Sequence, residues 1–287
     1  MKTKTKSFTT RIPTTLLLPC IICPLCAGDE LAEAGRKLLE QHSQAVVTIQ
    51  VVMKQQMNMF GSSREEESKT EITGTVINPS GLTVTSLSLL DPGSIIMNMM
   101  GGQAGLGEFD MDMKSQVTSA TLLLEDGTEL PGRVVLRDPD LDLAFVQPDE
   151  KPGKALPHLD LSNSAEPEVL ESIISLGRLG KLARRKETAA IGRITARVDK
   201  PRPFYVPAVS LASGLPLGCP VFTPDGATVG LIVMRKGAGP GGGSITGMLT
   251  SALSFSDFIM FIIVPAKNIA EAAEQAPGFD DDMDSAE

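Results

Sequence analysis

Two runs of alternating β-branched residues, Glu71-Ile72-Thr73-Gly74-Thr75-Val76-Ile77 and Leu82-Thr83-Val84-Thr85-Ser86, flank the turn-forming segment Asn78-Pro79-Ser80-Gly81. Period-two alternation closed by such a turn predicts a β-hairpin. The same grammar recurs along the chain. Ala45 to Val52, Gln116 to Leu124, Glu129 to Arg137 and Leu141 to Gln147 read as strands, with Glu125-Asp126-Gly127-Thr128 as a turn between two of them. Residues 151–159, rich in Pro and Lys, read as a linker. Beyond it, Val169 to Leu176, Thr188 to Val198, Phe204 to Val209, Pro220 to Thr223, Thr228 to Met234 and Phe258 to Val264 form a second set. Short strands at short intervals, punctuated by Gly, Pro, Asn and Asp, argue for an all-β barrel or sandwich over βαβ units.

Helical spacing of apolar residues appears at the two ends. Glu30 to Gln41 predicts a short amphipathic helix, and residues 265–274 a second one entered through Pro265 near its first turn. The expected organisation is a signal segment (1–28), an N-terminal helix (29–42), a first barrel (43–150) interrupted by a Met- and Gly-rich insertion (94–114), a second barrel with the closing helix (151–276), and an acidic tail (277–287).

The first residues carry Lys2, Lys4, Lys6 and Arg11, then an apolar run from Leu16 to Ala27. A basic start, a short apolar centre and small residues at Ala27 and Gly28 predict a secretory signal peptide, with a retained anchor as the alternative. The run is short against the roughly 20 residues a spanning helix needs. Cleavage after Gly28 leaves 22 Lys+Arg against 35 Asp+Glu. Such an acidic surface repels phosphate backbones and excludes nucleic acid as a natural partner. Cys20, Cys23 and Cys26 fall in the signal, leaving Cys219 as the single later thiol and no disulfide framework. No cofactor is implied and no metal site is predicted. The expected location is the secreted or periplasmic space.

Gly214-Leu215-Pro216-Leu217-Gly218-Cys219-Pro220-Val221-Phe222 reads as a tight turn leading into a buried strand, with Thr223-Pro224-Asp225-Gly226 as the following turn. This stretch resembles the nucleophile region of trypsin-like serine proteases, and the order of features resembles their HtrA/Deg-type branch. The hairpin Thr73 to Thr85, the stretch Asp138-Pro139-Asp140-Leu141-Asp142-Leu143-Ala144, the strand Ile173-Ile174-Ser175-Leu176-Gly177 and the run Phe261-Ile262-Ile263-Val264-Pro265-Ala266 all fall in the family's order. The resemblance spans roughly residues 43–275, without a PDZ module. It implies two packed six-stranded antiparallel β-barrels, the trypsin-like fold, with short helices at each end.

The resemblance also implies where a catalytic triad would sit. In that chemistry a histidine takes the serine proton and a buried aspartate orients the imidazole. Ser88 occupies the histidine position, Asp142 retains the aspartate, and Leu217 stands at the nucleophile, where it has no lone pair to attack with. Leu215 replaces the oxyanion-hole glycine, and Pro216 beside it has no N–H to offer. The candidate site is therefore Asp142 with Ser88, and the degenerate turn Leu215, Leu217, Gly218 and Cys219. A relocated Cys219 nucleophile would need an imidazole, and the chain has only His42 and His158.

The resemblance thus points to a protease homologue without hydrolytic activity, binding a peptide or protein segment in the cleft between barrels. Two alternatives stand beside it: an active serine endopeptidase with a rearranged site, and a structural subunit of a homo- or hetero-oligomer. Met97, Met99, Met100, Met111 and Met113 in the insertion, and Met53, Met57 and Met59 on the loop expected after the first strand, read as packing residues. An adaptable partner surface or a Cu(I) site are the sharper readings of the same methionines.

Overall fold

The computed structural model describes residues 27–59, 62–93, 112–208, 217–236 and 259–277. Helix α1 (Ala27–His42) leads into a first closed barrel of β1 (Val46–Met59), β2 (Ser62–Val76), β3 (Thr83–Ser86), β4 (Asp112–Leu123), β5 (Glu129–Asp138) and β6 (Leu143–Pro148). A second closed barrel follows from β7 (Ser172–Arg178), β8 (Glu187–Val198), β9 (Phe204–Pro207), β10 (Pro220–Phe222), β11 (Thr228–Lys236) and β12 (Ile259–Pro265), and α2 (Ala266–Ala273) closes it. The neighbour orders are 1-2-3-6-5-4 and 10-11-12-9-8-7, and every strand pairing is antiparallel. The expected all-β fold with two six-stranded barrels and a helix at each end is the fold observed.

Alternation explains which face each strand buries. On β6, Ala144 and Val146 fill the first barrel while Leu143 and Phe145 point the other way, into a cluster shared with Leu231, Val233 and Val264 of the second barrel. Strand β11 does the same from its side, sending Ile232 and Met234 into its own barrel. A strand covered on both faces reads as a continuous apolar run rather than as an alternation. These two strands form the seam between the barrels, and α2 packs on it through Ile269 and Ala272. Helix α1 covers a separate cluster where Leu38 meets Val46 of the first barrel and Ile174, Leu176 and Phe222 of the second.

Polar contacts also tie the barrels together. Arg178 reaches from β7 to donate to the carbonyls of Val46 and Ser43, and Glu71 of β2 accepts a bidentate pair from Arg185 at 2.7 and 3.1 Å. The Glu71 carboxyl is held below the usual range, chiefly by that arginine.

One region corrects the sequence reading. Met53, Met57 and Met59 were expected on a loop after the first strand. Instead β1 and β2 pair without a break from Val46↔Thr75 to Met59↔Ser62, and β1 also pairs with β4 out to Asn58↔Asp112. Met53 lies in the first barrel's core. Charges crowd the neighbouring strand, with Lys54 3.7 Å from Glu65 on it. Most of the Met-rich insertion, the signal segment and the acidic tail lie outside the described residues. Among the described residues, no helix is long and apolar enough to cross a membrane.

Candidate functional site

Strand β3 ends at Ser86, and a single 3-10 turn, Leu87–Leu90, carries the chain away from the barrel. The turn after β5 returns through Asp138, whose side chain accepts from the amides of Asp140 and Leu141. That turn delivers Asp142 in the left-handed region, at φ 56°. Asp tolerates this conformation better than most residues, because its short polar side chain can bond locally. The amide of Leu87 donates to the Asp142 backbone carbonyl at 2.9 Å, locking the 3-10 turn against it.

The Asp142 carboxylate is fully occupied. Its Oδ1 accepts from the Ser88 amide at 2.9 Å and from the Ser88 hydroxyl at 2.6 Å. Its Oδ2 accepts from the Ser86 hydroxyl and, across the seam, from the Met234 amide at 3.0 Å. Burial raises the Asp142 carboxyl above its ordinary value, and these four donors oppose that rise. No cation faces the carboxylate among its described partners. Ser86 and Ser88 are both fully buried, so neither hydroxyl is open to solvent.

Leu217 sits on the other side. It is 1% exposed and belongs to the core of the second barrel with Ile173, Val221, Ile232 and Ile263. Leu89, next to Ser88, packs against the same cluster. Ser88 and Asp142 are therefore brought into contact, while Leu217 is turned into hydrocarbon.

Gly218 shows why the backbone of this turn must pass so close to the first barrel. Its φ is +80°, and a Cβ added there would lie 2.1 Å from the Thr73 carbonyl oxygen. Side-chain hydroxyls complete the fit: Thr75 donates to the Gly218 carbonyl at 3.0 Å, and Thr85 donates to that of Thr73 at 2.7 Å. The Gly218 amide is consumed by the Ile232 carbonyl at 2.8 Å. Leu215 and Pro216 lie outside the described residues, as do Gly214 and Ser213.

Cys219 is buried, and burial pushes its thiol up to about 12. A thiol so protonated at neutral pH is a poor nucleophile. Neither imidazole hydrogen-bonds to it among the described residues. His42 closes α1 and stacks on Phe222 with ring centroids 5.0 Å apart, and burial lowers its pKa. His158 Nδ1 lies 3.0 Å from the Leu156 carbonyl oxygen in the inter-barrel linker. No group of three or more His, Cys, Asp and Glu side chains is arranged to hold a metal among the described residues.

Sequence reading missed two partners of Asp142. Ser86 is visible in retrospect, since Thr85-Ser86-Leu87-Ser88 places two hydroxyls two residues apart at a strand end. The Met234 amide carries no such signal, because a backbone donor from a distant strand depends on the docking of the barrels.

Two packed antiparallel barrels with a buried aspartate at their seam define the trypsin-like class of folds. The chain belongs to the trypsin-like peptidase domain family, whose sequence model matches residues 72–231. No curated protein matches it.

Proposed function

We propose that the protein is a catalytically inactive, HtrA/Deg-like member of the trypsin-like family that binds extended peptide or protein segments. The observation that carries this reading is Leu217, a buried core residue where the resemblance puts the attacking serine. Serine catalysis needs a hydroxyl that is exposed to substrate and next to a base. Leu217 supplies no such atom. Asp142, which would orient an imidazole, spends its acceptors on hydroxyls and amides instead.

Binding remains open to such a chain through its backbone. Strand β11 pairs with β12 up to Lys236↔Ile259, whereas β10 covers only its first residues. Ile232 and Met234 direct their amides away from β12, to the Cys219 carbonyl and to Asp142. By strand alternation Lys236 turns its N–H the same way, toward an edge that no described strand occupies. An extended segment can add there as a further strand. A leader at residues 1–28 would take the protein to the periplasm or outside the cell.

Fluorescein-labelled, unfolded casein tests both halves of this reading. The expected result is a rise in anisotropy on binding, no later fall from cleavage, and loss of the rise in Lys236→Pro, which removes the outward donor but leaves the β12 ladder intact. Steady release of small fluorescent fragments by the purified chain would refute it.

A further inference from the structure

Large hydrophobic side chains are exposed at Val169, Leu170, Leu179, Leu182 and Ile191 among the described residues. All five lie on the β7–β8 hairpin or its lead-in. Leu182 is the extreme case at 103% exposure, so it makes no packing contact that shields it. It stands at the tip of the hairpin, in a segment that reads Arg178-Leu179-Gly180-Lys181-Leu182-Ala183-Arg184-Arg185-Lys186. Five cations and no anion fall within these nine residues, in a chain whose formal charge is −9.

The tip is built stiffly. Amides of Ala183 and Arg185 donate to the Gly180 carbonyl, that of Arg184 to the Lys181 carbonyl, and that of Leu179 to the Lys186 carbonyl. Arg184 and Arg185 are consecutive left-handed residues at φ 55° and 54°. Such a pair is costly for residues that carry a Cβ and persists only where the surroundings enforce it.

The counter-charges sit at the base. Glu71, only 12% exposed, takes Arg185 and Lys181; Glu125 faces Arg178; Glu187, the first residue of β8, takes Lys186. Glu129 on β5 also acts on Arg185. Arg184 has no ion-pair partner among the described residues, and Lys181 and Lys186 remain 64% and 69% exposed.

We propose that this hairpin tip docks the protein on an anionic lipid surface, with Leu182 entering the headgroup region and Lys181, Arg184 and Lys186 around it on phosphates. The shape favours a membrane over a protein partner: one leucine on a convex, rigid tip has no groove to complement, but it suits a deformable interface. Lysine and arginine stems can lie along such an interface with their charged ends in the headgroups. The opposite end of the hairpin carries Glu168 and Glu171 beside Val169 and Leu170, which orients the molecule tip-first.

The chain has no tryptophan, so a single one reports its own surroundings. Leu182→Trp and Leu170→Trp, each in the full chain, are titrated with phosphatidylglycerol vesicles and with phosphatidylcholine vesicles, some carrying brominated acyl chains. The expected result is a blue shift and bromine quenching for Leu182→Trp on phosphatidylglycerol alone, reversed by salt, with no response from Leu170→Trp. Adding Arg184→Glu should raise the lipid concentration at half-effect about tenfold or more, since each basic residue near an anionic surface contributes substantially. Because the signal arises at position 182, membrane contact by the apolar stretch Leu16 to Ala27 does not imitate it. An unshifted Leu182→Trp spectrum, an equal shift at position 170, an equal shift on phosphatidylcholine, or indifference to Arg184→Glu would each overturn the proposal. A shift produced by an acidic protein but not by vesicles would overturn it in favour of a protein partner.

Discussion

On the first barrel's side of the seam, Asp142 is held by two hydroxyls and two amides, and every contact is polar. On the second barrel's side, Leu217 lies in an apolar cluster of isoleucines and valines with Tyr205 and Met234. The two halves show how differently buried polar and apolar positions can change. A buried carboxylate left without donors is costly, so one with no imidazole beside it must find other donors. Ser88 does so through its hydroxyl and its own amide. A small hydroxyl at the edge of a barrel core carries no such obligation, and a leucine can fill the space by burial alone.

The contrast is broken most severely on the polar side. Asp142→Ala strands the Ser88 and Met234 amides and two hydroxyls, and should lower stability by about 3–5 kcal/mol, read from urea unfolding midpoints. Because Met234 belongs to the other barrel, the loss should also loosen the seam, with faster amide exchange in β11 as its signature. A loss below about 1 kcal/mol would mean that water replaces these contacts readily.

On the apolar side, Leu217→Ser opens a cavity and buries a hydroxyl, and a loss of about 2–4 kcal/mol is expected. The same variant sharpens the functional claim. It places a hydroxyl at 217 without a base beside it, so it should gain no casein hydrolysis.

The smallest effect concerns pH. Burial raises the Asp142 carboxyl in the folded state, so its protonated form contributes stability that is complete below the unfolded value of about 3.9 and fades as pH rises through the folded one. Asp142→Asn does not titrate in this range. The advantage of the wild type over Asp142→Asn should therefore be largest near pH 3.5 and shrink toward pH 7, by about 1.4 kcal/mol for each unit by which the folded value exceeds the unfolded one. An advantage that grows with pH would show that the four donors outweigh burial.

Much of the barrel architecture was legible because strands with one wet face alternate and their turns carry Asn, Asp, Pro and Gly. The β1–β2 extension was not, since the exposed run Arg64 to Glu67 offers consecutive charges where alternation is sought. At the site, the identities of Ser88, Asp142 and Leu217 could be read from order and resemblance. Their environments could not. That Leu217 is buried rather than lining a cleft depends on how β10, β11 and β12 close around it, and that Asp142 is satisfied depends on the Met234 amide arriving from the other barrel.

The central claim is that the site has no serine able to act as a nucleophile. Incubating the full chain with a serine-directed fluorophosphonate and weighing the intact protein tests it directly. The account predicts an unmodified mass under conditions that label trypsin completely, in the wild type and in Leu217→Ser alike. A stoichiometric adduct on the wild type, mapped to any one serine, would contradict it.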